Sequence, residues 1–148
     1  MHKLKKARRN FKETLADKRR TLMLGDKECY ATLAVKDVQK AKSFYEGTLG
    51  LTSAGGSDDG GLMYKCGSSH LFVYPSEFAG TNKATAASWV VGDDLDKVIA
   101  DLKSKGVAFE QYDMPNVTRK GDVHVMGELR AAWFKDPDGN ILNLVNGM

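Results

Sequence analysis

The stretch Trp133-Phe134-Lys135-Asp136-Pro137-Asp138-Gly139-Asn140-Ile141-Leu142-Asn143-Leu144-Val145 restricts the fold more than any other part of the chain. Two apolar runs flank a Pro-Asp-Gly core, where Pro fixes φ, Gly accepts φ > 0 and Asp side chains bond nearby backbone N–H groups. This pattern predicts a β-hairpin. Leu142, Leu144 and the aromatic pair before the turn are expected to supply apolar side chains to a packed face. Asn143 then lies on the opposite face, toward solvent or a cavity.

Upstream, Tyr30–Val35 reads as a strand. Asp37 can cap a helix whose apolar stripe is Val38, Ala41, Phe44, Tyr45 and Leu49, and Gly50 ends it. A strand begins at Leu51–Ser53, residues 55–61 form a Gly-rich hairpin loop, and strands are expected at Leu62–Cys66 and His70–Tyr74. The order is βαβββ. It then recurs: Asp37 and Gly50 return 56 residues later as Asp93 and Gly106. Around them stand a strand at Ser88–Val91, a cap at Asp93 or Asp94, and the buried helix face Leu95, Val98, Ile99 and Leu102. A strand at Val107–Tyr112 and a longer inserted segment, Asp113–Met126, precede the closing hairpin.

The terminal Trp-Phe-Lys-Asp-Pro-Asp-Gly-Asn, together with Asp37–Leu51, resembles the vicinal oxygen chelate superfamily, the glyoxalase, bleomycin-resistance and ring-cleaving dioxygenase group. The resemblance spans about residues 28 to 148. It implies an α+β fold in which two βαβββ modules form curved mixed sheets around a cavity. Residues 1–27 are then a basic helical extension and linker, 28–80 the first module and 81–148 the second.

Composition narrows the function classes. With 148 residues, 42% hydrophobic, the chain can bury a core. It has neither an apolar run of about 18 residues nor the apolar segment of a signal peptide, so no membrane span and a cytoplasmic location are expected. Cys29 and Cys66 are expected as reduced, buried thiols, without metal-clip spacing. Of the net charge of +3, residues 1–20 supply +7, so residues 21–148 carry −4. The basic arm reads as an amphipathic helix that packs on its own domain or a neighbouring subunit. Without an accompanying aromatic or Gly-rich motif, nucleic acid is not an expected partner.

In metal-dependent members of the superfamily, the resemblance implies ligands on the first and last strands of the two modules. By position these fall on Tyr30, Ala86 or Ala87, Phe72 and Asn143. Ala and Phe have no donor, an amide oxygen is a weak one, and a neutral phenol is a poor one. No metal and no other cofactor are therefore expected. His70 shares the face of Phe72, and His124 reads as a surface His of the inserted loop.

What lines the implied cavity is aromatic: Tyr30, Phe72, Trp133 beside Asn143, and Trp89 if Ala87 is the equivalent position. With His70 these are the expected ligand-binding residues, suiting a flat or amphipathic small molecule held by stacking and area burial. The negative domain favours a neutral or cationic ligand. The expected function is metal-free small-molecule binding, similar to that of bleomycin-resistance proteins, in a homodimer. The alternative is a lyase, isomerase or dioxygenase with a displaced metal site involving His70, His124 or Glu128, or with Tyr30 and His70 as acid and base. A third is an interaction protein that docks through its basic arm.

Overall fold

The computed structural model describes residues 23–147. The predicted basic helix of the arm lies outside the described residues. A short 3-10 turn at Leu24–Asp26 leads into β1 (Ala31–Val35). Asp37 caps α1 (Val38–Lys42) as expected, its carboxylate accepting from the backbone N–H groups of Gln39 and Lys40 at 3.1 Å each. The helix widens into a π-helical stretch at Ser43–Thr48 and stops at Gly50, whose φ is +70°. The strands β2 (Thr52–Gly56), β3 (Leu62–Cys66) and β4 (Ser69–Pro75) complete a four-stranded mixed sheet, ordered β1-β4-β3-β2.

The second half repeats this wiring with one addition. Its elements are β5 (Thr85–Val90), α2 (Leu95–Ser104), β6 (Thr118–Lys120), β7 (Val123–Met126), β8 (Leu129–Lys135) and β9 (Ile141–Val145). The sheet order is β5-β9-β8-β7-β6, so β7 stands where β2 stands in the first sheet and β6 is an added edge. The expected strand at Val107–Tyr112 is not formed. Phe109 makes one bridge to Phe134, and the Glu110 amide donates to the Trp133 carbonyl at 2.8 Å. The Tyr112 amide then leaves the ladder for a side chain, and Pro115, with no N–H, cannot resume it. The segment expected as an insertion instead holds the β6–β7 hairpin, turned at Gly121 with φ +63°. Asp94 occupies the N-cap of α2, but no side-chain cap bond forms because a 3-10 turn at Gly92–Asp94 precedes the helix.

One core serves both sheets. Leu33, Val35, Leu71, Val73 and Tyr64 from the first sheet join Ala132, Phe134, Leu142 and Leu144 from the second, with Ala41 and Tyr45 of the first helix and Leu95, Ile99 and Leu102 of α2. Burial of each large apolar side chain contributes roughly 1.5–3 kcal/mol. The hairpin that reads so clearly in sequence ties the halves together. Asp136, 5% exposed, accepts from the Tyr45 hydroxyl at 2.7 Å and from Asn140 Nδ2 at 2.8 Å. Its other oxygen accepts the Asp138 and Asn140 amides. Asn140 Nδ2 also donates to the Ala34 carbonyl, and the Lys36 amide donates to Asp138. Burial, and then the adjacent Asp136 charge, push the Tyr45 hydroxyl far above its usual range, so it stays a donor.

Candidate functional site

Because one face of each sheet carries the core, the alternate residues define an open face. On the second sheet β8 and β9 pair Trp133 with Asn143 and Ala131 with Val145, and β5 pairs Ser88 with Asn143. These residues therefore share the open side. Trp133 and Phe134, consecutive in the strand, point to opposite faces, so only Phe134 of the aromatic pair is in the core.

Beside Asn143 stands an aromatic wall. The His124 ring meets Trp133 edge-on at 4.9 Å, and Tyr112 packs against both, at 6.0 and 5.7 Å. The Trp133 indole N–H donates to Thr85 Oγ1 at 3.0 Å, fixing that ring. His124 is not a surface residue: it is fully buried on β7 beneath Tyr112 and Trp133. The Tyr112 amide donates to its Nε2 at 2.9 Å, leaving Nδ1 as the buried N–H without a partner among the described residues. Burial, and then the charge of Glu110, raise the pKa of the Tyr112 hydroxyl.

Asn143 is 4% exposed. Its Nδ2 donates to the carbonyls of Ala132 (3.2 Å) and Leu144 (3.4 Å), so its Oδ1 is presented as an acceptor. It lines a cavity of about 620 Å³ together with Ser88, Glu128, Val145 and Asn146. Asn146 is occupied structurally, accepting the Arg130 amide and donating to the Glu128 carbonyl.

Tyr30, His70 and Phe72 belong to the other sheet's open face. Phe72 pairs with Thr32 and Met63 and stacks on Tyr74 at 6.1 Å with rings nearly parallel. Gly61 of the β2–β3 loop lies so close to the Phe72 ring that a Cβ there would collide with it. Tyr30, 46% exposed, shares a notch of about 230 Å³ with Glu28, Cys29 and His70. His70 also borders a cleft of about 660 Å³ with Cys66, Ala87 and Trp89. Trp89 pairs with Leu144 and packs against the core, away from Trp133. Cys66 is half-buried and Cys29 exposed, so the expectation of two buried thiols fails where the chain has not yet entered the β1 ladder. Burial pushes the Cys66 thiol up, a hydrogen bond with Trp89 partly opposing this.

Within one chain the six expected ligand residues thus fall into separate places. Trp133 and Asn143 meet as cross-strand neighbours, Tyr30 and His70 share the notch, His70 and Trp89 border the larger cleft, and Phe72 stands with Tyr74. Tyr112, Ser88 and Asn146 were not singled out in the sequence. Ser88 alone had an accessible signal, as the residue alternating with Trp89.

A divalent ion of the kind the superfamily implies does not fit the side chains at its positions. Tyr30 lies in an open notch, Ala86, Ala87 and Phe72 have no donor atoms, and Asn143 offers one amide oxygen. His70 and His124 line no common cavity. Among the described residues no three His, Cys, Asp or Glu side chains converge as a metal site.

These features belong to a known family. The chain is a member of the glyoxalase/bleomycin resistance protein/dioxygenase superfamily, whose family model matches residues 29–144. Comparison with curated proteins returned no match. Among solved structures, the integron cassette protein HFX_CASS4 from the mobile metagenome of the Halifax Harbour sewage outfall is similar at a TM-score of 0.62 and 16% identity, covering 82% of this chain and 97% of that one. The fosfomycin resistance protein FosX from Listeria monocytogenes is similar at 0.63 and 20% identity, covering 81% and 90%. A mutant of that protein, complexed with manganese(II) and 1S,2S-dihydroxypropylphosphonic acid, is similar at 0.61 and 18% identity, covering 80% and 88%. At these identities the likeness shows the shared fold. No helix of the described residues is long and apolar enough to cross a membrane.

Proposed function

We propose that this protein binds a small, flat or amphipathic organic molecule without a metal and without transforming it, as a homodimer in the cytoplasm. The observation that carries this reading is the open face of the second sheet. There Asn143, the cross-strand neighbour of Trp133 in the Tyr112–His124–Trp133 wall, is the most buried polar side chain lining the cavity, at the position where the resemblance places a ligand of metal-dependent members. An aromatic wall supplies contact area and stacking, and a few polar groups set orientation. The residues lining this cavity include no cation to meet a phosphonate such as the one bound by the Listeria protein's mutant. The test is titration of Trp133→Ala with a ligand found by screening aromatic and cationic small molecules. Binding should fall at least about tenfold with the fold intact, the scale expected of an aromatic anchor. Unchanged affinity would count against this site.

A second reading, a metal-independent isomerase, is favoured by the notch that brings Tyr30 and His70 together. Turnover lost in His70→Ala and insensitive to chelators would support it.

A further inference from the structure

We infer that the cavity on the second sheet selects a ligand bearing an ammonium or guanidinium group on an apolar body, through Glu128 and the Oδ1 of Asn143. This deepens the proposed function and rests on that reading of the cavity.

The polar surface of the cavity is one-sided. Both N–H groups of the Asn143 amide are directed to backbone carbonyls, at 3.2 and 3.4 Å. Its Oδ1 meets no protein donor among the described residues, although the side chain is almost wholly buried. Asn146 has its carbonyl on the Arg130 amide and one of its two N–H groups on the Glu128 carbonyl, so it leaves one N–H and no cation to the cavity. Glu128, exposed on the β7–β8 turn, is the one charged residue among those lining the cavity. Ser88 can donate or accept. A buried acceptor and an exposed carboxylate call for a ligand that donates hydrogen bonds and carries positive charge.

Three cations of the second sheet are engaged elsewhere. Arg130 donates to Asp96 at 2.9 Å, Lys135 lies 4.0 Å from Glu110, and Arg119 lies 3.2 Å from Asp113. Glu128 has no such partner among the described residues. Leu129 and Val145 supply the apolar wall against which the body of the ligand would lie. A carboxylate or phosphonate entering here would face Glu128 with no compensating charge.

The experiment uses matched probes on the full ¹⁵N-labelled chain: 4-phenylbutylammonium, 4-phenylbutanol, 4-phenylbutanoate and phenylphosphonate, titrated while the Asn143 side-chain amide and Trp133 indole signals are followed. The ammonium is expected to bind about five- to tenfold more tightly than the alcohol, and both anions more weakly than the alcohol. The advantage should shrink as salt rises. In Glu128→Gln, a change on an exposed turn, it should fall to within about twofold of the alcohol. Equal affinity for ammonium and alcohol would overturn the cation selectivity while leaving small-molecule binding in place. So would tightest binding of either anion. A preference undiminished in Glu128→Gln would overturn the assignment to that residue. Failure of all four probes to move either signal would overturn both this inference and the cavity on which it rests.

Discussion

Asp136 concentrates more hydrogen bonds than any other side chain of the closing turn, and two of its donors come from side chains. Tyr45→Phe removes one donor but leaves Asn140 in place, and should cost about 1–2 kcal/mol in urea unfolding. Asp136→Ala strands the Tyr45 hydroxyl, the Asn140 amide and two backbone N–H groups together, and should cost more, about 3–5 kcal/mol. Equal losses would mean that the Tyr45 bond carries the joint alone. Gly80, at φ +73°, lies against the Asp138 carbonyl where a Cβ has no room. Gly80→Ala should therefore destabilise by at least about 1–3 kcal/mol from backbone strain alone. High pH offers a further check. Burial, and then the charge of and hydrogen bond to Glu46, push the Tyr64 hydroxyl up to about 12 from 10.0. The unfolded chain gives up this proton first, so the contribution is intact below pH 10 and is lost as pH rises from 10 toward 12. The Tyr45 hydroxyl, raised further, acts in the same direction. Tyr64→Phe should flatten this alkaline decline in Tm. At this scale the chain discloses residue type and local turn chemistry but not long-range partners. Asp136 reads as a turn residue because Pro137 and Gly139 are adjacent, whereas Tyr45 is 91 positions away.

At the scale of elements, the segment from Val107 to Tyr112 and the strand β7 share the outer edge of β8. The first touches it at Phe134 and the second pairs along His124–Met126. The crossing from one to the other is secured where the Tyr112 amide donates to His124. Tyr112→Pro deletes that donor and leaves a buried imidazole nitrogen unmet, so it should cost about 1–3 kcal/mol and speed amide exchange across β7. Tyr112→Phe keeps the amide and should be close to neutral. An equal loss in both would assign the effect to the hydroxyl instead. The helices, the closing hairpin and the first sheet were legible because periodicity, caps and turn residues agree there: Asp37 and Gly50 bound the first helix as expected. Legibility failed at residues 107–126. The repeat assigned a strand to 107–112, while the β6–β7 hairpin, with only three residues in β6, offers little alternation to read. His124 was misjudged for the same reason, since a residue taken to lie in an insertion has no assigned face.

For the whole molecule, the two sheets share one core and each leaves an opposite face lined with aromatic and polar side chains. Phe72 and Tyr74 stand on one, Trp133 and Asn143 on the other. A dimer in which the face of one chain meets that of another would enclose what a single chain leaves open, and sedimentation should give twice the mass of 16.2 kDa. The family and the paired-sheet architecture were readable from two spaced motifs and a 56-residue repeat. The division of the expected ligand residues among separate places was not, because it depends on strand register: one bulge between Thr85 and Ala87 turns Trp89 to the core and Ser88 to the open side. The central claim, small-molecule binding without a metal, is tested most directly by thermal unfolding of the chelator-treated full chain. Mn, Fe, Co, Ni and Zn would be added in turn beside a panel of aromatic and cationic small molecules. A ligand at about 100 times its Kd adds about 2.7 kcal/mol, which raises Tm by several degrees. The account predicts such shifts with organic cations, lost in Trp133→Ala, and none specific to one metal. A shift with a single metal, removed by His70→Ala or His124→Ala, would contradict it.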